Sequence, residues 1–117
     1  MKNNETIYKN AKKLKNFREI VEDSAKKFPD KNAFIIKEKI EKNPKYKYIT
    51  YKKLKEDVDS FGQGLINQGL KNKRIAIIGK NSYEWALSYL TVLSSVGISV
   101  PLDKGLKQDE IESLLTR

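Results

Sequence analysis

Apolar side chains along this chain recur first at helical spacing, then in alternation, then in continuous runs. Phe17, Ile20, Val21, Ala25 and Phe28 fall on one face of a helix, with Asn16 placed to cap it and Pro29 to end it. Ala33-Phe34-Ile35-Ile36 and the alternating Tyr46-Lys47-Tyr48-Ile49 predict two strands. Between them the charged stretch Lys37 to Lys45, with Asn43-Pro44, predicts a solvent-facing hairpin connection. Thr50 should then cap a long helix whose stripe is Tyr51, Leu54, Val58, Phe61, Leu65 and Ile66, stopped by Gly69.

The second half is denser in apolar residues. Arg74-Ile75-Ala76-Ile77-Ile78-Gly79 is a continuous run closed by glycine, as in a strand buried on both faces of a parallel sheet. Ser82 can cap a helix in which Trp85, Tyr89, Leu93 and Val96 form one stripe. Ala86, Leu87, Leu90 and Val92 broaden that stripe until the helix should be enclosed. Gly97 ends it, Ile98-Ser99-Val100-Pro101 predicts a strand, and a last helix begins near Lys107 with Ile111, Leu114 and Leu115 as its apolar positions. Strand, helix, strand, helix is the rhythm of an α/β fold: a partial open, mostly parallel sheet with flanking helices, preceded here by a β-hairpin. Most of the driving force for folding is expected between Ile75 and Leu102.

Charge divides the chain the same way. Residues 1–56 hold 17 basic and 8 acidic side chains, residues 57–117 seven of each, so the whole net charge of +9 lies in the first half. Residues 1–16 read as a basic N-terminal arm, a frayed helix at most, with Ile7, Ala11 and Leu14 on a weak stripe. Residues 17–117 carry the folded pattern. A basic half raises nucleic acid and anionic lipid as partners. Of the 24 basic residues only Arg18, Arg74 and Arg117 offer a planar fork, and the lysines are interleaved with Asn and Glu, so nucleic acid is not expected. Peripheral membrane contact is allowed by the charge and supported by no motif.

Composition excludes much chemistry. With no Cys and no His there is no disulfide framework, thiol nucleophile, imidazole base or usual zinc site. The first residues carry no apolar run, so the cytoplasm is the default location. Trp85 to Leu102 is 18 residues without a charge, near the minimum for a bilayer span, but five hydroxyl residues, Gly97 and Pro101 favour helix, turn and strand.

The candidate motifs have structural explanations. Gly62-Gln63-Gly64 lacks the third glycine of a dinucleotide fingerprint and lies within a helix, so close helix approach accounts for it better. Lys73-Arg74 could meet an anion or mark a sheet edge, and the edge is preferred. Glu56, Asp57 and Asp59 could form a carboxylate cluster, but Lys52, Lys53 and Lys55 stand four residues before Glu56, Asp57 and Asp59, which favours a solvated, ion-paired face. Asn81 and Ser82 leave the C-terminal end of a strand, where α/β folds bind ligands, yet they also suit a turn and a helix cap, the preferred reading. Glu84 suits the helix dipole.

Taken in order, these segments resemble the first stretch of the adenylate-forming (AMP-binding) superfamily, which includes acyl-CoA synthetases, luciferases and peptide-synthetase adenylation domains. Ile49-Thr50-Tyr51-Lys52-Lys53-Leu54 is similar to its first core motif. Gly69-Leu70 with Arg74-Ile75-Ala76-Ile77 is similar to its approach to a strand, with Asn72-Lys73-Arg74 replacing the usual Gly-Asp. Asn81-Ser82-Tyr83-Glu84-Trp85 and Leu93-Ser94-Ser95-Val96-Gly97-Ile98-Ser99-Val100-Pro101-Leu102-Asp103 resemble two further motifs. Ser95-Val96 departs from the common Lys-Ala. Tyr83-Glu84-Trp85 and Pro101-Leu102-Asp103-Lys104 look most like long-chain fatty acyl-CoA synthetases.

The resemblance covers residues 17–117 and implies an incomplete N-terminal subdomain. The parent would adenylate a carboxylic acid with Mg-ATP and pass the acyl group to the thiol of CoA. The family's phosphate loop, adenine pocket, ribose-binding Asp and catalytic Lys have no match here. The expectation is therefore no catalytic, cofactor-binding or metal residue and no activity in these 117 residues alone; the alternatives are a small basic nucleic-acid-binding module or a stand-alone α/β interaction module. The remainder of the enzyme would be the natural partner, with self-association through exposed apolar surface in its absence.

Overall fold

A computed structural model describes residues 13–40 and 42–116; residues 1–12 of the arm, with Ile7 and Ala11 of its stripe, lie outside that range. The order is α1 (Phe17–Lys27), β1 (Asn32–Ile40), β2 (Asn43–Thr50), α2 (Tyr51–Asn67), β3 (Arg74–Ile78), α3 (Tyr83–Thr91), β4 (Ile98–Leu102) and α4 (Gln108–Leu115). β1 and β2 form an antiparallel hairpin; β3 and β4 form a two-stranded parallel sheet joined through α3. The expected α/β class, parallel sheet and hairpin are all present.

Helix ends follow local chemistry. Asn16 Oδ1 accepts the Glu19 N–H at 2.9 Å, Thr50 Oγ1 the Lys53 N–H at 3.1 Å, and Ser82 Oγ the Trp85 N–H at 3.1 Å. α2 closes with a paired C-terminal motif: Gly69 N–H donates to the Ile66 carbonyl and Leu70 N–H to that of Leu65. Gly69 sits at φ +82°, a conformation open to glycine at little cost. The helix after Ser82 does not run regularly to Gly97. Its last turn, Val92–Val96, widens so that Gly97 N–H donates to the Val92 carbonyl five residues back.

The hairpin is longer and tighter than the charge pattern suggests. Both strands continue through the lysine-rich stretch to the pair Ile40–Asn43, so the predicted long connection is instead paired backbone. A cross-strand ladder needs only backbone groups, and alternating lysines can extend from it into water.

The core also lies elsewhere than expected. Val21, Ile49, Leu54 and Val58 form its buried centre, with Phe34, Ile36, Tyr83, Leu87 and Leu90 packed against it. α2 thus collects α1, the hairpin and α3 around itself. In the apolar second half, Ile77, Val92 and Val96 are buried, while Ile78, Ile98 and Val100 are 46%, 57% and 36% exposed. β3 is therefore not buried on both faces, and α3 is only partly enclosed, because no described element covers the rest of the sheet. Among the described residues eight apolar side chains are buried and twelve large ones are exposed, a small core for so much apolar surface.

Three hydroxyls of α3 and its widened last turn are satisfied by the helix itself. Ser88, Thr91 and Ser94 each donate to the carbonyl four residues back, at 2.6–2.7 Å. Among the described residues no helix is long and apolar enough to cross a membrane.

Candidate functional site

The loop leaving β3 is the strongest candidate in the sequence. It runs through Gly79, Lys80 and Asn81 into Ser82, and a cleft of about 290 Å³ opens beside it, lined by Ile77, Ile78, Lys80, Glu84 and Trp85 among others. Its hydroxyls are engaged in helix structure: Ser82 Oγ caps, and Ser88 Oγ binds the Glu84 carbonyl. Trp85 stacks on Tyr89, ring centroids 5.3 Å apart and planes 8° from parallel. Asn81, Lys80 and Glu84 are exposed. The capping reading of Ser82 holds, and no nucleophile–base pair forms in the cleft.

The carboxylates of α2 differ in their surroundings. Lys55 pairs with Asp59 at 2.6 Å on the exposed face of α2, as the spacing predicts. Asp57 differs. Its carboxylate accepts from Lys53 Nζ at 2.8 Å and from Tyr83 Oη at 2.7 Å, and its side chain is only 22% exposed. It is a tie between α2 and the start of α3, a correction to the wholly solvated face expected for it. Burial works to raise the Asp57 pKa, but the hydrogen bonds from Lys53 and Tyr83, together with the charges of Lys53 and Lys47, outweigh it and hold the carboxyl below its ordinary value. Lys53 is raised in return by that same hydrogen bond. The Tyr83 phenol is pushed well above its ordinary value, first by burial and then by the Asp57 hydrogen bond. Its ring meets Phe34 of β1 edge-on at 5.2 Å.

Tyr83 therefore pins the loop-to-helix junction to both the hairpin and α2. Sequence spacing could not reveal this tie, because its partners stand 26 residues apart. Among the described residues no three His, Cys, Asp or Glu side chains gather to hold a metal.

At the opposite end of the sheet, Asn72 (φ 62°) donates its N–H to the Val96 carbonyl at 2.7 Å, and Ile98 N–H donates to the Lys73 carbonyl at 2.9 Å. This brings the Gly97 backbone against Lys73, and a Cβ on Gly97 would overlap the Lys73 carbonyl oxygen. Lys73 and Arg74 are exposed at the start of β3, where they mark the sheet end. Asp103 closes the next turn by accepting the Gly105 N–H at 2.9 Å. Of the helix glycines, Gly62 is buried as close approach requires, but nothing stands within 4 Å of a Cβ on Gly64, so close approach does not explain that one.

The AMP-binding enzyme family model matches residues 21–117. The chain belongs to that family. It is 33% identical over 100 residues to the mitochondrial medium-chain acyl-CoA ligase ACSF2 of Mus musculus, covering 85% of this chain and 15% of that protein. It is 28% identical over 101 residues to bacitracin synthase 2 of Bacillus licheniformis, covering 86% of this chain and 4% of that protein. The fold matches the N-terminal subdomain of Klebsiella oxytoca NpsA with a TM-score of 0.74 at 24% identity, over 88% of this chain and 25% of that one. The chain thus spans a small part of the length of its relatives.

Proposed function

We propose that these residues form the opening portion of an adenylate-forming ligase that activates a carboxylic acid with Mg-ATP and passes the acyl group to the thiol of CoA. Membership of the family supports adenylation. The observation carrying the incomplete-domain reading is the parallel pair β3–β4, whose Ile78, Ile98 and Val100 stand open to water. Monomeric proteins rarely leave such contiguous apolar surface uncovered. Further chain would lay sheet and helices over it, and would carry the phosphate loop, nucleotide pocket and catalytic lysine for which these residues offer no counterpart. Here the loop after β3 and the Asp57–Tyr83 tie serve as scaffold.

A fatty acid is the proposed substrate class, supported by the likeness to ACSF2 and by Tyr83-Glu84-Trp85 and Pro101-Leu102-Asp103-Lys104. A second reading, a peptide-synthetase adenylation domain, rests on the comparable likeness to bacitracin synthase 2. The same proposal places the enzyme in the cytoplasm and expects these 117 residues alone to self-associate through the open sheet.

ATP–pyrophosphate exchange tests it. The longer protein should exchange with fatty acids and release AMP when CoA is added, and the 117 residues alone should do neither. Exchange driven by amino acids, with no use of CoA, would establish the second reading. Exchange by the 117-residue chain would overturn the incomplete-domain account.

A further inference from the structure

The outer face of the hairpin combines aromatic, apolar and cationic groups that neither the core nor the proposed chemistry uses. Phe34 and Ile49 point inward, so their neighbours Ile35 and Tyr48, directly opposite each other, point out; they are 62% and 56% exposed. The next outward pairs along the ladder are Lys37–Tyr46 and Lys39–Pro44, with Tyr46 51% exposed. Lys37, Lys39, Lys42 and Pro44 line one shallow cleft of about 260 Å³ at the tip. The acid of β1, Glu38, alternates onto the opposite face. Of the five Lys of residues 37–48, Lys45 and Lys47 share that opposite face, so Lys37, Lys39 and the tip Lys42 supply the charge here, and no Arg lies between positions 19 and 73.

We propose that this face docks the protein on an anionic lipid surface. The hairpin presents a platform about 13 Å long from Ile35 to Lys39. Tyrosine rings suit the headgroup level of a bilayer, with an apolar body and a polar tip. Lysine stems lie along such a surface while their ammonium groups reach anionic headgroups. Charge complementarity selects the lipid, and it selects against neutral bilayers, because one isoleucine and two tyrosines insert too little apolar area to bind without it. Nucleic acid fits less well. The face has no guanidinium fork for phosphate or base edges, and Ile35 occupies the centre where a stacking ring would be needed. The inference stands independently of the substrate proposed above.

Vesicle flotation tests it with the 117-residue chain, comparing phosphatidylcholine vesicles with vesicles a quarter phosphatidylglycerol. Binding should require the anionic lipid and weaken as salt rises. Lys37→Gln with Lys39→Gln should lower partitioning about 25-fold, at about fivefold per lysine. Tyr46→Ser with Tyr48→Ser should also lower it, with the far-ultraviolet circular dichroism of each variant checked against the parent. Lys71→Gln with Lys104→Gln, away from the hairpin, should change it less than about twofold on the same scale. Equal loss from both lysine pairs would reduce the effect to net charge and overturn the proposal. So would binding to neutral vesicles, no binding to vesicles at all, or binding of single-stranded poly(U) at the hairpin lysines in place of vesicles.

Discussion

The two halves of this molecule invert the relation between apolar content and burial. The α1–hairpin–α2 half is rich in lysine and sparse in apolar residues, yet it supplies Val21, Ile49, Leu54 and Val58, the buried centre. The β3–α3–β4 half holds the long apolar runs, yet leaves Ile78, Ile98 and Val100 in water. Hydrophobicity records what a segment is built to face; burial records what faces it in these 117 residues. Where the two agree, at α2, the core is locally complete. Where they part, at β3 and β4, the surface is prepared for more polypeptide, as proposed above.

Substitutions in each half should respond differently. The largest effect is expected at the one tight point of the second half: Gly97→Ala forces a methyl against the Lys73 carbonyl and should cost about 3 kcal/mol in urea unfolding. Leu54→Ala, at 5% exposure, should likewise cost about 3 kcal/mol by cavity formation. Ile98→Ala, 57% exposed, should cost less than about 0.5 kcal/mol. Similar losses at positions 54 and 98 would erase the contrast.

The Asp57–Tyr83 tie joins the halves, and Tyr83→Phe should cost about 1 kcal/mol. Its pH signature has two signs. Asp57 has a lowered pKa, so its contribution is present above the unfolded value of 3.8 and is lost as pH falls through the folded value. Tyr83 has a raised pKa, so its contribution is present below 10.0 and is lost as pH rises beyond it toward the folded value. Urea midpoints across pH should therefore fall at both extremes, with Asp57→Asn flattening the acid side and Tyr83→Phe the alkaline side. One substitution should be a gain. Gly64→Ala meets nothing within 4 Å inside α2 and should stabilise by about 0.5–1 kcal/mol.

Much of this was legible from residues in order. Asn16, Thr50 and Ser82 cap where short polar side chains before apolar stripes should, and Gly69 closes α2 as expected. The ordered motifs pointed to the right family because they record local turns and caps that a sequence can carry. What escaped was non-local. The hairpin's lysine-rich stretch reads as loop, but backbone pairing continues through it to Ile40–Asn43. Asp57 reads as one more ion-paired carboxylate, but tertiary approach gives it Tyr83. The expected enclosure of β3 and α3 describes neighbours that the described residues do not provide.

Native-state hydrogen exchange, compared between the 117-residue chain and the longer protein, reads the difference between the two halves amide by amide. In the 117 residues, amides of α2 around Leu54 and Val58 should exchange only by global unfolding, and those of Ile75–Ile78 and Ile98–Leu102 by cheaper local opening. In the longer protein the two strands should gain protection of at least about 100-fold relative to α2, an added stability of roughly 3 kcal/mol. Equal protection of strands and α2 in the 117-residue chain, unchanged by the rest of the protein, would contradict the account.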